Sequence, residues 1–352
     1  MERIIPSTQP PNVYRGLSAQ TVMRIAAEHG VGNIECAVLG IKEKFLGLSR
    51  EKVIQRGVEK LNRFIKEFEL EFENAKGQNF LGIHDIKQFS EEVLEEITKS
   101  PAMVNWLRAI EIVEDHYDRL NDFSKVERDK LSLHSYEVAA LAGISAIEVN
   151  RYWLKKFSEL AYTREELKQI ITAGFMHDIG KIAQDLMPIW TQPRRLSRDE
   201  RAMMQDHTIY GAMYLAPYES ELGKNVIESV LYHHERPDGT GYFGMKDKEV
   251  GTIPKVLAVT DKFTAMYVDR RRYRGGPVSE FWEGMFLAEI FGYENRGDHI
   301  YVPVPWNYPD DEWGRVAAAY ERLFNGHQTE PGAKEYRMVP DTVTEKNSGG
   351  YN

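Results

Sequence analysis

The chain has 352 residues, 42% hydrophobic and 28% charged, a balance that suits a soluble globular protein of about two domains. With 45 Lys+Arg against 54 Asp+Glu its formal net charge is −9, which excludes sequence-independent coating of DNA by a broad basic face. The single cysteine, Cys36, excludes an internal disulfide framework and any multi-cysteine zinc knuckle, and fits a reducing compartment. The N-terminal stretch lacks the basic start and apolar block of a signal peptide. The longest weakly polar run, near 138–147, falls far short of the roughly 18 residues a membrane span needs. The expectation is a cytoplasmic protein with no membrane span.

The pattern is helical almost throughout. In 49–76 the residues Ile54, Val58, Leu61, Ile65, Phe68 and Phe72 recur at steps of three and four, with Ser49 as N-cap and Gly77 as stop. Ser100-Pro101 reads as an N-cap followed by proline at the first helical position, opening a helix through Leu107, Ile110 and Val113. Thr163 with Glu166 forms a capping-box pattern before Leu167, Ile170 and Ile171. Ser197 with Glu200 repeats it before a helix expected to carry His207, and Pro254 is expected to open another through Val256, Val259 and Phe263. Strand alternation is scarce: His299 to Val304 could be a short extended piece, its prolines arguing for an edge or a loop. From about Gly326 the composition turns to Gly, Pro, Thr, Glu and Asn and reads as a flexible tail, 326–352. The division is then a helical N-terminal region over 1–98, a longer helical domain over 99–325, and the tail.

Five of the ten histidines fall into one pattern: His134, His177, His207, His233 and His234. His177 precedes Asp178 in GFMHDIGK, the other pair stands in HHERPDGTGYFG, and Asp261 lies in AVTDKFTAM. Imidazole with carboxylate suits Mn, Fe, Zn, Ni or Co. A His-Asp pair at a helix end can aim two ligands at neighbouring metals, and the two oxygens of Asp178 could bridge them, as in two-metal phosphoester hydrolysis. Gly180 is expected to let the chain turn past the helix, and Lys181 places a cation one turn away. Adjacent histidines on one helix point about 100° apart, so His233 and His234 can both ligate only where the helix end faces the site. Asp238-Gly239 and Thr240-Gly241 make a tight loop that would present Tyr242. Asp261 follows an apolar run, where an unpaired buried carboxylate is costly, so a metal partner is the better account. By contrast, His84-Asp85 reads as a loop and cap feature, His29 fits a helix C-terminus, and His116, His299 and His327 have no supporting spacing. Four arginines in five positions, Arg270, Arg271, Arg272 and Arg274, suggest anion recognition.

The segment from about 100 to 325 resembles the HD-GYP domain, a subgroup of the HD phosphohydrolase superfamily. The resemblance rests on HDIGK at 177–181, RLSRDERAMMQDHTIYGAMYL at 195–215, HHERPDGTGY at 233–242 and the run from Ile253 to Arg274. It implies an all-α helical bundle that holds two or three divalent metal ions, usually iron or manganese, and hydrolyses cyclic di-GMP or a related cyclic dinucleotide to linear pGpG or GMP. Carried over by position, it implies His134, His177, Asp178 and Asp261 around one ion and Asp178, His207, His233 and His234 around the other. Lys181 matches the lysine on the scissile phosphate, Tyr242 the tyrosine of the substrate pocket, and Arg270 or Arg271, with Arg274, the arginines that meet phosphate or guanine.

Four positions depart from that pattern. Phe243 replaces the proline of the Gly-Tyr-Pro signature, which implies a less rigid loop. Lys130 stands where trinuclear members carry a glutamate, so a binuclear site is expected. Gln192 stands for a lysine and Thr264 for an aspartate. Two divalent ions with Asp178 and Asp261 leave roughly +2 at the site, so an acidic chain can still offer a cationic pocket to a ligand with two phosphates. The rival readings are a cyclic dinucleotide receptor without turnover and an HD phosphohydrolase acting on another nucleotide. The N-terminal helices are expected to pack on the catalytic domain, form a homodimer face or bind a signalling protein.

Overall fold

The computed structural model describes residues 49–76, 83–100, 103–109, 130–153, 161–183, 185–190, 196–265, 294–296, 299–302 and 334–337, with isolated positions at 21, 313, 315–316 and 319–320. Its main helices are α1 (Arg50–Lys76), α2 (Ile83–Ile97), α3 (Lys130–Trp153), α4 (Arg164–Met176), α5 (Arg198–Met204), α6 (Asp206–Leu215), α7 (Lys224–Tyr232) and α8 (Thr252–Phe263). The all-α expectation holds for the body of the molecule. A small antiparallel sheet is added near the C-terminus: β1 (Glu294–Arg296), β2 (His299–Val302) and β3 (Lys334–Arg337), in the order β1-β2-β3. Of the extended piece expected from His299 to Val304, residues 299–302 form its central strand, and 303–304 lie outside the described residues. Within the stretch read as a flexible tail, Lys334–Arg337 pairs with β2, Tyr336 opposite Ile300.

Helix α3 is the axis. Val138, Ala139, Ala140, Leu141, Ala142, Ile144, Ala146 and Val149 are all buried, and α4, α8, α1 and α2 pack around it. Its small residues allow close approach: a Cβ on Gly174 of α4 would lie 2.6 Å from the Ala139 Cα. That crossing is what brings the end of α4 to the start of α3, where the site lies.

Both predicted capping boxes form: the Thr163 and Ser197 hydroxyls accept the N–H of Glu166 and Glu200, whose carboxylates accept the Thr163 and Ser197 N–H in return. The second box, however, caps only α5. The chain turns at Gln205 and restarts as α6, which carries His207 as its second residue. Helix α8 starts at Thr252, with Gly251 as N-cap, so Pro254 is its third residue, still within the first turn where backbone N–H groups lack helical partners.

Helix α1 runs as predicted with Ser49 at its start, the Lys52 N–H reaching the Ser49 hydroxyl at 3.4 Å. Its buried face is rotated slightly from the expected stripe. Val53, Leu61, Phe64 and Ile65 are buried while Ile54 and Val58 are only half-buried. Gly57 is the reason, since a Cβ there would sit 2.5 Å from the Tyr136 hydroxyl of α3. Helices α1 and α2 share one continuous apolar core with the helices beyond residue 99. Lys168 of α4 also pairs with Glu96 of α2 at 2.7 Å, a partly exposed contact worth about 0–1 kcal/mol. On the far side, the Tyr320 hydroxyl donates to the Leu141 carbonyl at 3.1 Å and meets the Thr260 hydroxyl at 2.9 Å, tying a C-terminal segment to α3 and α8.

Candidate metal centre

Helix ends converge on one point. His134 comes from the first turns of α3, His177 and Asp178 from the end of α4, His207 from the start of α6, His233 and His234 from the end of α7, and Asp261 from the last turn of α8. His177 and His233 are themselves the C-caps of their helices. The structure thus gathers all seven predicted ligands. Three overlapping groups have ligand atoms within 4.8 Å of one another: His134 with His177 and Asp178, His207 with His233 and His234, and His177 with His233 and Asp261.

The imidazole tautomers follow from the backbone. His177 Nδ1 lies 2.8 Å from the Gly174 carbonyl, His207 Nδ1 2.6 Å from the Met204 carbonyl, and His233 Nδ1 2.8 Å from the Val230 carbonyl. A carbonyl only accepts, so each Nδ1 carries the proton and each Nε2 turns a lone pair toward the centre. This second bond is the usual means of orienting a metal-bound histidine. His207 Nε2 and His233 Nε2 then face each other at 3.3 Å as two acceptors. His177 Nε2 and Asp178 Oδ1 are buried and make no hydrogen bond. Facing lone pairs beside an unsatisfied carboxylate oxygen are costly in a buried site unless a cation lies among them. The donor set fits divalent transition metal ions.

Asp178, 1% exposed, is the hub. Its Oδ2 lies 3.2 Å from His177 Nε2, 3.8 Å from His134 Nε2 and 2.5 Å from Lys181 Nζ, while Oδ1 lies 3.4 Å from His207 Nε2 and 4.0 Å from His233 Nε2. Asp261 Oδ1 lies 3.0 Å from His134 Nε2 and 3.7 Å from His177 Nε2; its Oδ2 is 4.0 Å from His234 Nδ1. Burial opposes the charge on Asp178, yet His177 and Lys181 beside it hold its carboxyl well below the usual range. Burial likewise opposes Asp261, and the His134 hydrogen bond and His177 outweigh it. Burial, reinforced by the neighbouring imidazoles, pushes His234 down, as it does His233 to about 3. Burial also takes His207 to about 4, against the opposing charge of Asp178. Ionised carboxylates and neutral imidazoles are the forms that ligate metals.

These values carry a stability prediction for the metal-free protein. The unfolded chain holds histidines near a pKa of about 6.5, so between that value and the folded ones it binds more protons than the native state. Stability is then fully present above about pH 6.5 and falls as pH drops toward 4. Thermal melts of chelator-treated protein from about pH 7.5 to about 4.5 check this; a melting temperature that is flat or rises on acidification contradicts it.

Lys181 is 24% exposed at its side chain, with its Nζ held on Asp178 Oδ2. The Tyr242 ring lies 4.6 Å from the His234 ring and stands perpendicular to His207 at 6.4 Å. Its loop is tight, as expected: Asp238 Oδ1 accepts the N–H and hydroxyl of Thr240, and Gly239 has φ +75. Thr264 is fully buried and donates its hydroxyl to the Thr260 carbonyl at 2.9 Å. Arg270, Arg271 and Arg274, and the departure at Gln192, lie outside the described residues.

Four further residues shape the site, two of them tryptophans without a legible sequence signal. The Trp106 indole N–H donates to the Phe175 carbonyl at 2.7 Å, and the Trp190 indole N–H to the Lys181 carbonyl at 2.7 Å. The turn that presents His177 and Asp178 is therefore held from both sides. Glu235, buried, accepts the N–H of Phe243 and Met245. Phe243 is buried against Tyr232. Tryptophan partners far along the chain, or across a turn, leave no spacing to read. Glu235 stands inside HHERPDGTGY, and its carboxylate eight residues before Phe243 was the available hint.

Residues 131–266 match the family model described as HD domain. Similar proteins include a cyclic di-GMP phosphodiesterase from Pseudomonas aeruginosa, 33% identical over 34% of this chain and 30% of its own. Another cyclic di-GMP phosphodiesterase, from Thermotoga maritima, is 34% identical over 44% of this chain and 39% of its own. The cyclic di-GMP phosphodiesterase response regulator RpfG from Xanthomonas campestris is 31% identical over 40% and 35%. The chain thus spans only about a third of the length of these relatives. Among the described residues, no helix is long and apolar enough to cross a membrane.

Proposed function

We propose that the protein is a metal-dependent phosphodiesterase that hydrolyses cyclic di-GMP, or a related cyclic dinucleotide, to linear pGpG or GMP. The observation that carries this is the convergence of five imidazoles and two carboxylates, with His207 and His233 turning acceptors toward each other at 3.3 Å. His134, His177, Asp178 and Asp261 would hold one ion and Asp178, His207, His233 and His234 the other, iron or manganese in each. Bound there, divalent ions supply Lewis acidity toward phosphoryl oxygens and make water a nucleophile near neutral pH.

The chain's own residues do the rest. Lys181 is held by Asp178 at the edge of the cluster, where its ammonium meets a non-bridging phosphate oxygen. Burial, with Asp261 and Asp178 nearby, pushes the Tyr242 phenol upward, so it stays protonated and donates a hydrogen bond to the ligand. Arg270 or Arg271, with Arg274, takes phosphate or guanine. The names of the three relatives support the substrate class. A cytoplasmic signalling setting, with a second copy or a signalling protein on the N-terminal helices, completes the reading.

The test is a product assay on anaerobically purified protein of known metal content, with Mn(II) or Fe(II) added. Linear product that disappears with chelator is expected. Saturable binding of cyclic di-GMP with no product overturns the hydrolase reading in favour of a receptor. Faster turnover of a nucleoside triphosphate or an alarmone in the same panel overturns the substrate assignment.

A further inference from the structure

The loop after the paired histidines is strung around one buried carboxylate. Glu235 is 2% exposed; its Oε1 accepts the Phe243 N–H at 2.7 Å and its Oε2 the Met245 N–H at 2.8 Å. Gly241 crosses so close to it that a Cβ there would lie 2.5 Å from the Glu235 Cα and 2.7 Å from Oε1. Phe243 is 2% exposed and packs edge-on against Tyr232 at 5.4 Å, at the last residue of the helix that ends in His233 and His234. Between Gly241 and Phe243 stands Tyr242, tilted 36° on the His234 ring. The loop is thus fastened at two points to the body that carries two of the histidines. Tyr242 is the residue left facing them.

Phe243 occupies the position of proline in the Gly-Tyr-Pro signature. Proline has no N–H, so it could not make the bond to Glu235. Where the sequence implies a less rigid loop, the replacement supplies a hydrogen bond to the Glu235 carboxylate and a buried aromatic contact with Tyr232.

We propose that Glu235 and Phe243 are positioning residues, a latch that sets the Tyr242 ring against His234 and holds it at the ligand-facing edge of the metal cluster. Glu235 touches neither ligand nor metal; it acts through the backbone of 243 and 245.

The experiment uses the full chain loaded with diamagnetic zinc. Amide exchange at 243 and 245 and the ring-proton resonance of His234, shifted by the Tyr242 ring current, are read for wild type, Glu235→Gln, Phe243→Pro and Phe243→Leu. Melting temperature and metal content are measured alongside. The latch predicts that Glu235→Gln loses protection at 243 or 245 and moves the His234 resonance, with metal content kept. Phe243→Leu retains its N–H and therefore keeps the protection at 243, whereas Phe243→Pro moves the His234 resonance. Wild-type protection at 243 and 245 in Glu235→Gln, with the wild-type His234 resonance in both Glu235→Gln and Phe243→Pro, overturns the latch. A second arm rests on the hydrolase reading: KM for cyclic di-GMP rises about tenfold in Glu235→Gln while kcat changes much less, the signature of lost ligand positioning. Unchanged KM with lost protection overturns the positioning role. A wild type with no turnover overturns the hydrolase reading and leaves the latch to be decided by the exchange and resonance data.

Discussion

Asp178→Ala protein is expected to lose its metal and its turnover together. Asp178 turns an oxygen toward each side of the cluster, Oδ2 toward His177 and His134 and Oδ1 toward His207 and His233. If it bridges two ions as proposed, removing it takes away a ligand common to both and one of the two carboxylates of the cluster, so both ion positions suffer. The loss is read as metal content by elemental analysis and as linear product from cyclic di-GMP, both at background. Far-UV circular dichroism matching wild type separates this from unfolding. His233→Ala is expected to behave in the same way. Lys181→Ala provides the contrast: it keeps the metal and loses about 10²–10³ in turnover, as removal of one charge-stabilising donor does. Full hydrolysis by metal-depleted Asp178→Ala protein would sink the two-metal assignment.

Gly180→Ala is expected to have the largest effect on stability. The glycine is needed for space rather than for conformational freedom. The described glycines with positive φ are Gly223, Gly239 and Gly244, and Gly180 is not among them. A Cβ at 180 would instead lie 1.8 Å from the His207 carbonyl oxygen and 2.6 Å from the Gly211 N–H nitrogen. Both obstacles are backbone, so neither can swing aside. The turn carrying His177 and Asp178 must then move off α6, which carries His207. The expected cost is at least about 3 kcal/mol, at the upper end of overpacking penalties, together with weaker metal binding because the two ligand sets are driven apart. Gly251→Ala is the control: its nearest neighbour is Pro254 Cδ at 3.5 Å, an ordinary contact at an extended N-cap, and its cost is expected within about 1 kcal/mol. Thermal melts and metal titration of the two variants decide it. A Gly180→Ala protein with wild-type melting temperature and metal affinity overturns the packing account.

Much of the fold and of the site is legible in the residues themselves, for local reasons. A capping box needs only a hydroxyl and a carboxylate three residues apart, so Thr163 with Glu166 and Ser197 with Glu200 announce two helix starts. A ligand set of His and Asp leaves a chemical trace because few other roles place those residues beside glycines and apolar runs. All seven named residues meet in space. Local reading fails where the deciding contact is distant in sequence. The break at Gln205, which splits one expected helix into α5 and α6, follows no proline or glycine. The rotated face of α1 depends on Tyr136, seventy-nine positions from Gly57.

The sequence by itself determined the chemistry: which donors are present, that they are imidazoles and carboxylates, and that helices carry them, because residue type and local spacing are properties of neighbouring positions. Only the tertiary structure decided how those donors are presented. It turned three Nε2 lone pairs inward by committing their Nδ1 protons to backbone carbonyls. It required glycine at 180 because the backbone of α6 runs there. It also set a buried glutamate and a phenylalanine against the loop where the sequence implied less rigidity. Each of these depends on what the fold packs against a residue, and packing partners far apart in the chain are not written in its local pattern.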